Sequence, residues 1–220
     1  MNVALAKSPT GQPVGELFAA ARGRLPGTGP VAELRQAAFD DFARRGLPHR
    51  RIEEWKYTDL RAQLREVAPL APAPDQAALT RAAKAVKSLG IEGTQKLVLV
   101  DGVFAPQLSD VAALEAGVQV RALREILEDG SNQVRADLLR TTVASDAMIS
   151  LNAALATDGV VIDVAAGVAP TKPVHIVHVA TRSAQSAATR SLVKIEKGAR
   201  VHLVESLVAA EGARTYQTHD

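Results

Sequence analysis

Two histidines in one valine-rich run, Val174-His175-Ile176-Val177-His178, are the first residues here whose type and spacing suggest metal chemistry. In an extended chain successive side chains alternate between faces, so residues three apart point in opposite directions and cannot share one ion. His202 is placed to neighbour one of them across a sheet, but no thiol or carboxylate accompanies it, and ordinary strand histidines are expected. Asp158 and Asp163 are a second pair, of the kind that sugar-cleaving enzymes use as acid and base. Asp158 falls in the turn sequence Thr157-Asp158-Gly159, and Asp163 is expected to face solvent from a strand. No Ser/His/Asp order, G-x-x-x-x-G-K-[ST] loop or H-E-x-x-H motif occurs, so hydrolase and ATPase chemistry lack residues to carry them.

Gly27-Thr28-Gly29-Pro30-Val31-Ala32 fits the loose dinucleotide pattern G-x-G-x-x-A. That pattern works only where a buried strand delivers the glycines to a pyrophosphate, and here a helix end precedes it. A helix–helix loop is the better account. Residues 44–57 hold Arg44, Arg45, Arg50, Arg51 and Lys56 beside Trp55 and Tyr57, which is the composition of a nucleic-acid patch. Asp40, Asp41, Glu53, Glu54 and Asp59 interleave with those cations, and a polyanion groove neutralised in place is a poor one. The reading preferred is a salt-bridged surface segment that Trp55 anchors to the core.

Behind these candidates stands a chain of 220 residues, 47% hydrophobic, with 3% aromatics and a net charge of +2. Val, Leu, Ala and Ile must therefore fill the core, and the charge by itself argues for neither nucleic acid nor an anionic membrane. There is no cysteine, which excludes disulfides, thiolate zinc sites, a cysteine nucleophile and conventional iron–sulfur ligation on this chain alone. With no apolar run of spanning length, the sequence predicts a cytoplasmic protein without a membrane segment.

Residues 1–12 are expected to be a disordered tail and 13–157 a helical, α+β N-terminal domain. Helical spacing runs through Val14, Leu17, Phe18, Ala21 and Leu25, then from Pro30 through Val31, Leu34, Ala38, Phe39 and Phe42 to Gly46. Thr58 is read as the cap of a short helix with Leu60, Leu64 and Val67, and residues 68–74 as an extended Pro-rich link. Asp75 is expected to cap a helix burying Leu79, Ala82, Ala83, Val86 and Leu89. Asp101-Gly102 marks a hairpin within 96–105, and a strand at 118–120 precedes a helix through Leu123, Ile126 and Leu127. Two more helices are placed at about 131–138 and after Ser145. From 158 the pattern changes to short, half-buried strands: 159–168, 173–180, 190–210 and the final Thr-Tyr-Gln-Thr-His-Asp. A weak echo, Ile162–Val168 against Ile195–Val201, hints at stacked rungs.

The run GLPHRRIEEWKYTDL, with Pro48, Arg51, Glu54, Trp55, Lys56, Tyr57, Thr58 and Leu60 in order, closely resembles the N-terminal signature of the SufD branch of the SufB/SufD family, a component of the SUF iron–sulfur cluster assembly machinery. Residues 150–168 and the strand runs after them resemble the core of the same family. The signature's role is read as structural, joining the helices to the β core. The resemblance implies an α+β N-terminal region followed by the first rungs of a right-handed parallel β-helix, whereas the strand pattern alone equally permits a sandwich or jelly roll. It also implies a non-catalytic scaffold subunit that pairs with SufB and the SufC ATPase, with no catalytic residue, metal site or cofactor on this chain; iron–sulfur clusters and ATP are handled through the partners. Family members are longer, so residues 158–220 are expected to be the start of a β-helix whose remainder is absent, and none of the five histidines inherits the family's functional one. An open rung is expected to self-associate through 200–219, with Val201, Leu203, Tyr216 and Thr218 on the edge. The competing readings are a carbohydrate-active β-helix enzyme and a nucleic-acid module using Arg44–Arg51.

Overall fold

The computed structural model describes residues 12–64, 67–129 and 146–220. The tail reading for the first eleven residues, and the helix placed at 131–138, lie outside these. Helix α1 (Gln12–Ala21) and α2 (Pro30–Arg45) form where the spacing predicts, linked through a 3-10 turn and the 25–29 loop. Pro30 starts α2 at its first position, where a missing N–H costs nothing. Helix α3 spans only Leu60–Gln63, and its cap is Asp59, whose side chain accepts from Ala62 N–H, rather than Thr58. Helix α4 (Gln76–Ser88) is capped by Asp75 as expected, but it buries Ala78, Ala82 and Ala85 while Ala83 is exposed. Helices α5 (Leu123–Glu128) and α6 (Ala147–Leu155) complete the helices among the described residues. Phe18 stacks on Phe39 at 4.4 Å, and α1, α2 and α6 share one apolar cluster with Leu70 and Ala188.

The strands are β1 (Gln95–Val100), β2 (Val103–Phe104), β3 (Val118–Ala122), β4 (Val160–Val164), β5 (Val174–Ala180), β6 (Ser183–Thr189), β7 (Leu192–Ile195), β8 (Leu203–Ala209) and β9 (Arg214–His219). The β1–β2 hairpin turns at Asp101 and Gly102, both at positive φ, as the Asp-Gly signal requires. The last six strands pair in parallel in three separate sheets: β4 with β7, β5 with β8, and β6 with β9. Val161 faces Leu192, Val174 faces Leu203 and Ser186 faces Tyr216, so one circuit of three strands lies on the next at a displacement of 29 to 31 positions. The echo in the sequence is displaced by two residues from the true stacking, because Val164 rests against Ile195 and Gly167 against Gly198.

Between the walls lie Leu97, Leu99, Val160, Ile162, Val164, Val174 and Ile176, with Val193 and Val201 partly buried against them. Each outer face has its own cover. The alanines of α4 pack on Val98, Val100, Val177 and Val179, which is why β5 is buried on both faces rather than half-buried. Leu123, Ile126 and Leu127 of α5 cover Val161 together with Val31. Residues 69–71 are more than a link: Leu70 bridges Ser186 in parallel, with Ala71 N–H donating to Ser186 O and Ser186 N–H to Pro69 O, both at 2.8 Å. No helix among the described residues is long and apolar enough to cross a membrane.

Candidate functional site

The three-strand circuits have two unlike ends. At the first, every strand is covered: β3 pairs antiparallel with β4, β1 parallel with β5, and the Leu70 segment with β6. Two buried carboxylates pin these covers. Asp158 accepts the backbone N–H groups of Phe104 (2.9 Å), Arg124 (2.8 Å) and Gly159 (2.8 Å), tying β2 and α5 to the start of β4. Burial raises its pKa, while those three N–H donors pull the other way. Asp101 accepts Thr181 N–H (2.7 Å), Thr181 Oγ1–H (2.5 Å) and Arg182 Nε–H (3.3 Å), locking the hairpin turn to the β5–β6 corner. Gly159 sits so close to the next circuit that a Cβ would run into the Arg190 carbonyl.

At the second end β7, β8 and β9 are edge strands among the described residues. Leu203, Glu205 and Leu207 stand in register over Val174, Ile176 and His178, so they continue the inner face. They are open: Leu207 is 62% exposed, Ile195 51% and Leu203 45%. Of the edge residues named from sequence, Leu203 is on this face, while Val201 precedes β8 and is partly buried against the inner cluster. Tyr216 and Thr218 lie in β9, whose side chains fall outside the description.

The histidines do not converge. His175 lies on the outer face, with Nε2 2.9 Å from Ser206 Oγ and Nδ1 3.3 Å from Thr94 Oγ1. His178 is on the inner face, Nε2 2.8 Å from Glu205 Oε1. Burial pushes His178 down to about 4. The Glu205 carboxylate acts in the opposite sense, but it is half exposed and water screens it, so the imidazole is neutral and donates its Nε2–H. His202 is exposed, away from both, and its carbonyl accepts Val174 N–H. No group of three His, Cys, Asp or Glu side chains able to hold a metal occurs among the described residues. The two carboxylates are likewise apart in role: Asp158 is buried on backbone amides, and Asp163 faces outward, 3.8 Å from both Arg121 and Lys194.

The signature run folds into a closed loop. Pro48 is buried and its carbonyl accepts Leu60 N–H (3.1 Å); Leu60 packs partly against the α1–α2–α6 cluster. Thr58 N–H donates to Trp55 O (2.8 Å). Trp55 is only half buried, and its indole N–H donates to Asp146, the residue whose other oxygen caps Met148 at the start of α6. The tryptophan thus anchors the loop by holding a helix cap, not by entering the core. Arg51 and Glu54 are exposed, Lys56 pairs with Glu53 at 2.6 Å, and Tyr57 is 90% exposed with the Lys56 ammonium 5.4 Å from its ring centre.

Sequence reasoning missed one residue that matters to the frame. Arg35 is buried on α2 with no carboxylate among its hydrogen-bond partners; it donates to the carbonyls of Pro26, Ala153 and Ala154. It thereby satisfies the last turn of α6 and sits at the negative end of that helix, while burial and Arg124 push its pKa down to about 10. Its only sequence signal is position, four after Val31 and three before Ala38 on the buried stripe.

Residues 16–176 match the family described as the SufBD protein N-terminal region. The chain is also similar to the iron–sulfur cluster assembly SufBD family protein of Synechocystis sp., at 28% identity over 178 residues, which is 80% of this chain and 39% of that protein. It therefore spans about two-fifths of the length of that relative. The chain belongs to the SufBD family.

Proposed function

We propose that this chain is the N-terminal part of a SufD-type scaffold subunit, non-catalytic and without a cofactor of its own, that serves iron–sulfur cluster assembly. What supports the reading is the family match across 16–176, together with strand circuits sealed at one end and open at the other. The signature loop carrying Arg51, Glu54, Trp55 and Lys56 favours the SufD branch. On this reading β4–β9 are the opening turns of a right-handed parallel β-helix, and the exposed inner residues Ile195, Leu203 and Leu207 are where further turns or another strand pack. Clusters are cargo of the assembled complex, formed with a SufB-type partner and the SufC-type ATPase.

The experiment is a reciprocal pull-down from the native source. The full-length protein carrying this region co-purifies with the SufB-type partner and the ATPase, whereas residues 1–220 alone do not retain the ATPase. Absence of both partners from the full-length pull-down overturns the scaffold reading. Retention of the ATPase by residues 1–220 at micromolar affinity overturns the division of labour within it.

A further inference from the structure

The signature loop holds a feature that scaffolding of strands does not use. His49, Arg50, Arg51, Asp59, Arg61 and Ala62 line one open depression of about 550 Å³. Small-molecule sites commonly occupy roughly 300–1,000 Å³. The floor is held in place, since Arg61 Nε donates to Leu47 O (2.9 Å) and Leu60 N–H to Pro48 O (3.1 Å). A site whose backbone is already fixed loses little order on binding.

The cations of this region divide into two sets. Arg44 and Arg45 pair with Asp41 at 2.7 and 3.1 Å, and Lys56 with Glu53 at 2.6 Å. Arg50, Arg51 and Arg61, by contrast, form no ion pair among the described residues, and all three line the depression. The one carboxylate in its lining, Asp59, accepts Ala62 N–H as the cap of α3. Three guanidinium groups around one concavity repel one another, and an anion relieves that repulsion. Their planar forks suit phosphate oxygens, which accept two parallel N–H bonds. His49 adds a donor, because its Nδ1 accepts Arg51 N–H (3.2 Å), which puts the ring proton on Nε2. A long polyanion would also need the flanking cations, and those are neutralised in place.

We propose that this depression binds a phosphate-bearing small molecule, with Arg50, Arg51 and Arg61 taking its oxyanions and His49 assisting. The inference stands independently of the scaffold reading, since it concerns a different surface and its test needs no partner. Trp55, the only tryptophan of the chain, lies in the same loop and reports on it. Its fluorescence is followed while inorganic phosphate, pyrophosphate and ATP are titrated separately at low and moderate salt. A saturable change with at least one of them is expected, weakened about tenfold or more in the Arg50→Ala/Arg51→Ala double variant. Arg121→Ala, an exposed cation on β3, is expected to leave it unchanged, and which of the three anions binds tightest identifies the source of the phosphate. Both exposed arginines can be removed without disturbing the core, and an unchanged thermal transition verifies this. No saturable response to any of the three, or a response equal in the double variant, overturns the proposal. So does binding of a single-stranded oligonucleotide or polyglutamate where pyrophosphate has no effect, which would make the loop a macromolecular contact.

Discussion

The first and second circuits of strands stack in register, yet they differ in almost every physical respect. In the first, β4, β5 and β6 each have a neighbour on both sides, and β4 and β5 lie under helices on their outer faces. In the second, β7, β8 and β9 have a strand partner on one side only among the described residues, and the inner residues Ile195, Leu203 and Leu207 are open. The difference lies in the N-terminal region, whose β1, β3 and Leu70 segment supply the first circuit with what an isolated rung lacks. Backbone groups at the sealed end are satisfied within the chain, while those at the open end are a template for another strand.

If the seam between circuits carries the fold, changes there must cost far more than changes at the rim. Gly159→Ala drives a methyl into the Arg190 carbonyl and is expected to cost about 4 kcal/mol or more, read by urea unfolding. Asp158→Ala strands the N–H groups of Phe104, Arg124 and Gly159, at about 3–5 kcal/mol. A loss below 1 kcal/mol in both would erase the contrast between the ends.

Acid sharpens the comparison in a different way. The folded pKa of His178, about 4, lies below the ordinary 6.5, so on acidification the unfolded chain takes up the proton first. Stability from this group is complete above about pH 6.5 and is lost as the pH falls towards 4, by about 2–3 kcal/mol. His175 is shifted down as well, by burial and then Lys96, and adds to the same trend. Replacing His178 by Leu should flatten the stability profile between pH 6.5 and 4; an unchanged slope would mean the imidazole is not buried as described.

At the rim the effects are smallest. Leu207→Ala should alter stability by less than about 0.5 kcal/mol because the side chain is already in water. Leu207→Lys should instead reduce concentration-dependent association by placing a charge beside an open edge. Light scattering that shows a clean monomer for the parent chain at high concentration would remove the edge as a contact.

Strands β4, β5 and β8 were legible because they are short runs rich in valine, isoleucine and leucine set off by Gly, Pro or small residues, and the Asp101-Gly102 hairpin because such a pair suits its turn. Strand β6 was not, since Ser-Ala-Gln-Ser-Ala-Ala-Thr has little β-forming character; it is extended because Leu70 on one side and β9 on the other hold it so. The Pro-rich segment looked like a spacer because its three prolines cannot donate to a ladder, yet Ala71, between the first two, does. Arg35 falls on the buried stripe of a helical wheel but reads as a surface charge by its residue type, and only the approach of α6 turns it into a buried cap. Asp158 was read as a turn residue; it instead bridges Thr189 in parallel, and the sequence carried no sign that three segments would converge on its carboxylate. Both misses depend on contacts across more than thirty residues, which local spacing does not encode.

Amide hydrogen exchange, run at a concentration where sedimentation gives a monomer, tests the asymmetry of the two ends most directly. Strand β5, bonded to β1 on one side and β8 on the other, should be protected at every residue. Strand β8 should alternate, slow where its N–H groups meet β5 and fast where they face outward. Uniform protection along β8 in the monomer, or equally fast exchange in both strands, would contradict strand circuits covered at one end and, among the described residues, open at the other.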